Sequence, residues 1–452
     1  MSLRRSDHSP CSTGWRDALF SNAPLPLLLL AMWPLGYFIE RSGYVDSYYG
    51  RIVTLIGYNV ILAVSLQLIN GFSGQFSLGH AGFMAVGAYL AAYPAITYSN
   101  TYSNPTAVLW FFIVLAVVVG ISGAIVFGLF TACRYSRRWH PTLPAVLMLL
   151  LIAWLMVDLA RSARYDTPPI YLVWARGISL VHGGMDSMIA SGQNAAARIS
   201  AALPELIRQP LSFVILLIGA GSCAAVTGLI VGMPALRLKG DYLAIATLGM
   251  GEIIRIVIIN TPALGGALGL TPIPRAANFA WIYGTVIVTV FVIWRVAYSA
   301  IGRAIMAVRE DEIASASIGI NNTFYKVQAF VIGAFFAGVA GALFSLDQYS
   351  ITPTRFTMDR SIEIVVMVTL GGLGSITGAI LAAVVLTLLP EVLRPIADYR
   401  MIIYSIALVI MMLLRPQGLL GGREIWPRRW GRRARSVSEW PESSVQENEP
   451  AA

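Results

Sequence analysis

The sequence predicts an all-α, polytopic helical membrane protein with about 9–11 hydrophobic segments, some of them broken or re-entrant. Three observations lead there. Of 452 residues, 57% are hydrophobic and only 12% charged, against about 25% charged in soluble domains. The cores of one or two soluble domains could not hide so much apolar surface. Apolar stretches long enough to cross a bilayer recur along the chain. A glycine cluster interrupts one of them and another lies between two of them, where backbone can turn sharply instead of continuing as helix.

Taken in order, the stretch 24–39 follows Arg4, Arg5 and Arg16 and contains Trp33-Pro34. With no small-x-small cleavage site after it, it reads as a retained first helix preceded by a cytoplasmic segment, 1–23. Further stretches lie at 52–70, 76–93, 107–131 and 143–160. A hydrophilic insert, 161–210, then carries Arg161, Arg164, Asp166 and Arg176 and an Ala-rich part suited to a surface helix. The remaining stretches are 211–233, 241–260, 279–299, 324–346, 361–389 and 400–414, which makes 24–422 the transmembrane domain.

Orientation follows from the positive-inside rule. The connector 303–326 and the arginines from Arg423 to Arg435 mark the cytoplasmic side. The tail 423–452 is Arg-rich, then Ser, Glu and Pro rich, and reads as disordered at its end. Placing both markers inside requires 361–389 to be other than a single span. Gly371, Gly372, Gly374 and Ser375 in its middle predict a broken or re-entrant hairpin there. A second break is expected at Asn70-Gly71-Phe72-Ser73-Gly74-Gln75. Irregular backbone at membrane depth needs protein or a water-filled path around it.

The excess of 32 Lys plus Arg over 23 Asp plus Glu fits cytoplasmic loops facing anionic lipid and gives no reason to invoke nucleic acid. Cys11, Cys133 and Cys223 are far apart and suggest neither a disulfide framework nor a metal site. His8, His80, His140 and His182 are scattered, without metal-ligand spacing. The two lysines, Lys239 and Lys326, stand in no Gly-Lys-Ser/Thr phosphate loop, so no catalytic residue, metal or cofactor is expected. An ATP-driven process would need a separate ATPase.

Within 300–323, Glu310, Asp311 and Glu312 precede Ile313-Ala314, which suits the first turn of a short amphipathic helix that Gly319 can end. Physics alone also allows a solvated connector. The segment resembles the coupling loop of ABC-importer permeases, and its Arg-Glu-Asp-Glu-Ile-Ala reading at 309–314 is similar to the branched-chain amino acid permeases of the LivM type. The resemblance extends through four further blocks in family order. These run from Asn70 to Tyr89, from Pro234 to Arg255, from Val368 to Ser375 and from Arg415 to Leu420. The sequence departs from the family at 94–210 and at 265–271, where Gly-Gly-Ala-Leu-Gly-Leu-Thr stands.

The resemblance implies an ABC importer permease fold and a permease subunit, not itself an enzyme, in the inner membrane. It implies transport of branched-chain or similar amino acids, with a second related permease, two cytoplasmic ATPases and an extracytoplasmic solute-binding protein as partners. Arg309, Glu310, Asp311, Glu312, Ala314 and Gly319 would then couple to the ATPase. A urea or amide permease is the nearby alternative. An ion-coupled secondary transporter is the alternative of a different class, with Asp158, Glu252 and Glu363 as its candidate carboxylates.

Ser73, Gly74, Gln75, Ser77, Gly79, His80 and Gly82 bring hydrogen-bonding groups and backbone freedom to membrane depth. They are candidates for the substrate pathway, since broken helix ends can match a zwitterion without fixed charge. Close helix packing accounts equally well for the glycines, and better for His80. Arg237, Asp241 and Tyr242 fit a membrane-edge cluster or a gate. Glu252 and Arg255, three apart on a helix, can neutralise each other or line a gate. Gly371, Gly372, Gly374 and Ser375 belong to the same second tier.

Overall fold

In a computed structural model of the chain, the described residues are 47–97, 112, 205–238, 240–394, 405, 406, 409, 413, 415 and 418–420. The expected elements at 1–23, 24–39, 107–131 and 143–160, most of the 161–210 insert, most of 400–414 and the tail 423–452 lie outside them.

The described residues form ten α-helices in one bundle. These are α1 (Ser47–Leu66), α2 (His80–Thr97), α3 (Glu205–Ala235), α4 (Asp241–Ile259), α5 (Phe279–Ala297), α6 (Ala300–Glu310), α7 (Glu312–Ser317), α8 (Asn322–Asp347), α9 (Met358–Gly371) and α10 (Ile376–Val392). Five helices are long and apolar enough to cross a membrane: Tyr48–Phe72, Pro210–Ala235, Asp241–Ile259, Phe279–Ala297 and Asn322–Asp347. The first has 25 residues and at 1.5 Å each spans about 37 Å, more than the roughly 30 Å of hydrocarbon.

Helix α8 is the axis of the bundle. Lipid tails give helices no hydrophobic reason to associate, so close approach of small residues does the work. A Cβ at Gly341 would sit 1.9 Å from the Met84 carbonyl oxygen of α2, and one at Gly338 would sit 2.3 Å from Ala224 Cβ of α3. Those glycines let α2 and α3 touch α8 backbone on two sides. Tyr58, Phe344 and Phe356 meet edge-on near its C-terminal end, with centroids 5.8 and 6.2 Å apart.

Two breaks appear where glycines predicted them. Helix α1 passes into a π-turn, Gln67–Phe72, and the chain then runs as extended coil to Gly79. The stretch expected as helix from 76 therefore starts at His80. Glycine geometry causes the delay: Gly74 holds φ +67°, and Gly79 presses against Thr247, where a Cβ would lie 2.4 Å from the carbonyl oxygen. The stretch expected at 361–389 divides into α9 and α10 at Gly372 (φ +104°) and Gly374 (φ +89°). Asn59 of α1 bonds Arg360 and Thr387, while Gln67, two turns on, bonds the carbonyls of Gly372 and Ser375. Thus α9 runs with α1 and α10 returns against it, a hairpin whose tip lies beside the π-turn.

The insert also ends earlier than its polarity suggests, because 205–210 already form the first turns of α3. Between α4 and α5, the 260–278 connection pairs with the segment after α8. Leu270 N–H donates to Ile351 O at 3.0 Å and Ile351 N–H returns the bond at 3.2 Å.

Candidate functional site

The coil 73–79 sits inside the bundle, and its amides need partners there. Side chains supply several. Asn70 Oδ1 accepts from Ser77 N at 3.2 Å, Thr247 Oγ1 from Leu78 N at 3.0 Å, and Ser361 Oγ from Ala81 N at 3.2 Å. The π-turn closes with Ser73 N donating to Leu68 O at 3.1 Å, a geometry that often marks functional positions in helices. Ser73, Gln75, Ser77 and His80 are all buried. His80 lies 2.8 Å from Ser65 Oγ through Nε2. With the Ser65 proton on Leu62 O, His80 donates through Nε2 and keeps Nδ1 as an acceptor. Among the described residues, His80 Nδ1, Ser77 Oγ, Asn70 Nδ2 and both amide atoms of Gln75 have no hydrogen-bond partner. Buried polar atoms left in that state are costly and ask for a ligand or water.

The hairpin tip meets this segment directly. A Cβ at Gly71 would stand 2.7 Å from Gly374 N. Ser375 caps α10 by accepting from Gly378 N at 3.1 Å. Leu419 N–H donates to Leu370 O at 2.7 Å, and a Cβ at Gly418 would lie 2.5 Å from Gly372 N, so Gly418 and Leu419 close over the tip.

Arg309, the penultimate residue of α6, reaches the same point. Its NH1 donates to Gly71 O at 2.8 Å, and its NH2 pairs with Glu310 Oε1 at 2.5 Å. After α6 the chain turns at Asp311, whose Oδ1 accepts from Ile313 N at 2.7 Å and Ala314 N at 3.1 Å to start α7. Gly319, at φ +87°, follows α7 and lets the chain turn away. Lys326 of α8 pairs with Glu312, and Asn322 Nδ2 donates to Glu312 O at 2.6 Å, which fixes α7 to α8. The exposed side of this short helix carries Ile313 and Ile318, 83% and 74% exposed, next to Phe324. Large apolar side chains so exposed are candidates for a contact surface.

At the other end of α9, Glu252 of α4 takes two bonds. Its Oε2 accepts from Arg255 Nε at 2.7 Å and its Oε1 from Met358 N at 3.1 Å. Glu252 therefore neutralises Arg255, as the three-residue spacing implied, and also caps α9 across the gap between helices.

The expected pathway residues thus converge, with Gly79 against Thr247 and Gly82 against Gly251 of α4. The expected coupling residues divide. Arg309, Glu310, Asp311, Ala314 and Gly319 are exposed, Glu312 is tied to α8, and Arg309 also reaches the break through its NH1. Arg237, Asp241 and Tyr242 are exposed at the α3–α4 connection. Gln67, Asn70, Thr247, Ser361 and Asn59, which hold the irregular backbone and the hairpin, were not singled out from sequence. The available signal was a lone polar side chain within an apolar run. Among the described residues, no group of three His, Cys, Asp or Glu side chains could hold a metal ion.

A family profile described as "Branched-chain amino acid transport system / permease component" matches residues 48–166 and 169–414. The chain belongs to this family. The permease is similar to the high-affinity branched-chain amino acid transport system permease protein LivM of Salmonella typhimurium (strain LT2). The two are 35% identical over 312 residues, which cover 61% of this chain and 73% of that protein. LivM of Escherichia coli (strain K12) is equally similar, at 35% over 312 residues. The permease is also 30% identical over 130 residues to LivH of the same organism, covering 28% of this chain and 42% of that one. No solved structure matches it. It is a multi-pass inner membrane protein of the LivM type.

Proposed function

We propose that the permease imports branched-chain or similar amino acids as one half of a heterodimer with a second, related permease. Two cytoplasmic ATPases would drive it, and an extracytoplasmic binding protein would deliver the solute. The single observation supporting this reading is the α6–α7 element: a short capped helix with exposed apolar side chains, bonded through Arg309 to the π-turn of α1. A lone transporter has no use for such a surface, whereas a subunit without its own fuel requires one. The solute pathway would pass the buried polar groups of Asn70, Gln75, Ser77 and His80, where an α-ammonium and an α-carboxylate meet acceptors and donors without a fixed charge. Of the carboxylates that an ion-coupled transporter could use, Glu252 is bound by Arg255 and Glu363 by Arg360 at 2.5 Å, and Asp158 lies outside the described residues.

Reconstitution tests this reading. Vesicles containing the permease with its second permease and ATPases, supplied with binding protein, should accumulate labelled leucine, isoleucine or valine only with internal ATP. Uptake driven by a proton or sodium gradient without ATP would refute it. Accumulation of urea or short amides in place of amino acids would select the neighbouring branch.

A further inference from the structure

We infer that Arg309 is a positioning residue that locks the two helix breaks to the ATPase-facing helix, so that they move as one piece; this rests on the permease reading above. Three chain segments far apart in sequence meet at its guanidinium. The first is the π-turn of α1, whose Gly71 carbonyl accepts from Arg309 NH1 at 2.8 Å. The second is the tip of the α9–α10 hairpin, where a Cβ at Gly374 would come 3.3 Å from NH1. The third is the α6–α7 joint, where Glu310 Oε1 accepts from NH2 at 2.5 Å and from Nε at 3.1 Å. The aliphatic stem is used as well, since a Cβ at Gly74 would lie 2.5 Å from Arg309 Cγ. Gly74 and Gly374 both have positive φ, so backbone conformation and the space taken by this side chain each call for glycine there.

The planar fork of arginine can hold a carbonyl and a carboxylate in fixed relative directions; a lysine ammonium cannot. Gly71 O lies in the π-turn, where the helical ladder is broken, and Arg309 supplies a charge-assisted donor to it. Only Glu310 separates Arg309 from Asp311, the cap of α7. A displacement of α7 by a partner is therefore delivered to Gly71 and the hairpin tip without a flexible linker. This gives Arg309 a role beyond partner contact: its side chain is about half as exposed as that of Glu310, 35% against 71%, and its NH1 is bonded to Gly71 O.

The test is the number of solutes imported per ATP hydrolysed, measured on the whole reconstituted transporter carrying Arg309→Ala or Arg309→Lys. Loss of folded complex lowers uptake and hydrolysis together and leaves that ratio unchanged. Loss of the lock leaves hydrolysis running and lowers the ratio. We expect both variants to assemble with their ATPases and the ratio to fall about tenfold in Arg309→Ala, with a smaller fall in Arg309→Lys. An unchanged ratio in both variants overturns the inference, as does loss of ATPase binding in Arg309→Ala with an unchanged ratio in Arg309→Lys. The permease reading fails differently, through ATP-independent uptake by the unaltered complex.

Discussion

Asp311→Ala should weaken the grip of the ATPase on the permease by roughly fivefold. Helix α7 has six residues, too few to stand alone in water. It is held by the bonds of Asn322 and Lys326 to Glu312 and by the two bonds of Asp311 Oδ1 to Ile313 N and Ala314 N. Removing such a cap costs about 1 kcal/mol. If the docking face forms only when α7 is wound, that cost appears directly in the dissociation constant, at tenfold per 1.4 kcal/mol. Asn and Ser cap nearly as well as Asp, so Asp311→Asn and Asp311→Ser should bind within about twofold of the native permease. Titrating purified ATPase onto the native permease and the three variants in nanodiscs, by change in mass or fluorescence, gives the four constants. If Asp311→Asn is as weak as Asp311→Ala, the carboxylate touches the ATPase and capping is not its role. If Asp311→Ala binds normally, α7 does not need its cap.

Thr247→Val keeps the shape of the side chain but leaves Leu78 N without the acceptor it has at 3.0 Å. The loss should cost about 1–3 kcal/mol in thermal unfolding of the solubilised permease, while Thr247→Ser stays near native. Gly341→Ala places a methyl 1.9 Å from Met84 O and forces α2 and α8 apart. A loss of about 1–3 kcal/mol is expected, and native stability in that variant would refute the packing described. Glu252→Ala removes the acceptor for Met358 N and the partner of Arg255. Hydrogen exchange at the start of α9 should then quicken, with α10 unaffected.

Much of this architecture was legible in the chain. Apolar runs gave the spans, since a bilayer demands length and admits few alternatives. Gly71, Gly74, Gly372 and Gly374 gave the breaks, because positive φ and backbone contact have few other solutions. Local signals also sufficed for α7, whose cap and terminator lie within its own eight or nine residues, from Asp311 to Gly319. What could not be read were the partners of groups distant in sequence. The Arg309–Gly71 bond joins positions 238 apart and the Glu252–Met358 bond positions 106 apart. Sequence put Arg309 with its exposed neighbours but could not show that its NH1 also reaches Gly71 O. Thr247 and Ser361 look like any hydroxyl in an apolar helix until the coil that uses them is in place.

Cysteine at Ile318, in a permease whose Cys11, Cys133 and Cys223 are replaced by alanine, tests the central claim most directly. A membrane-impermeant maleimide should label it in inside-out vesicles and not in right-side-out ones, and bound ATPase should block the reaction. Labelling from the outer side, or labelling that ATPase leaves unchanged, would contradict the account.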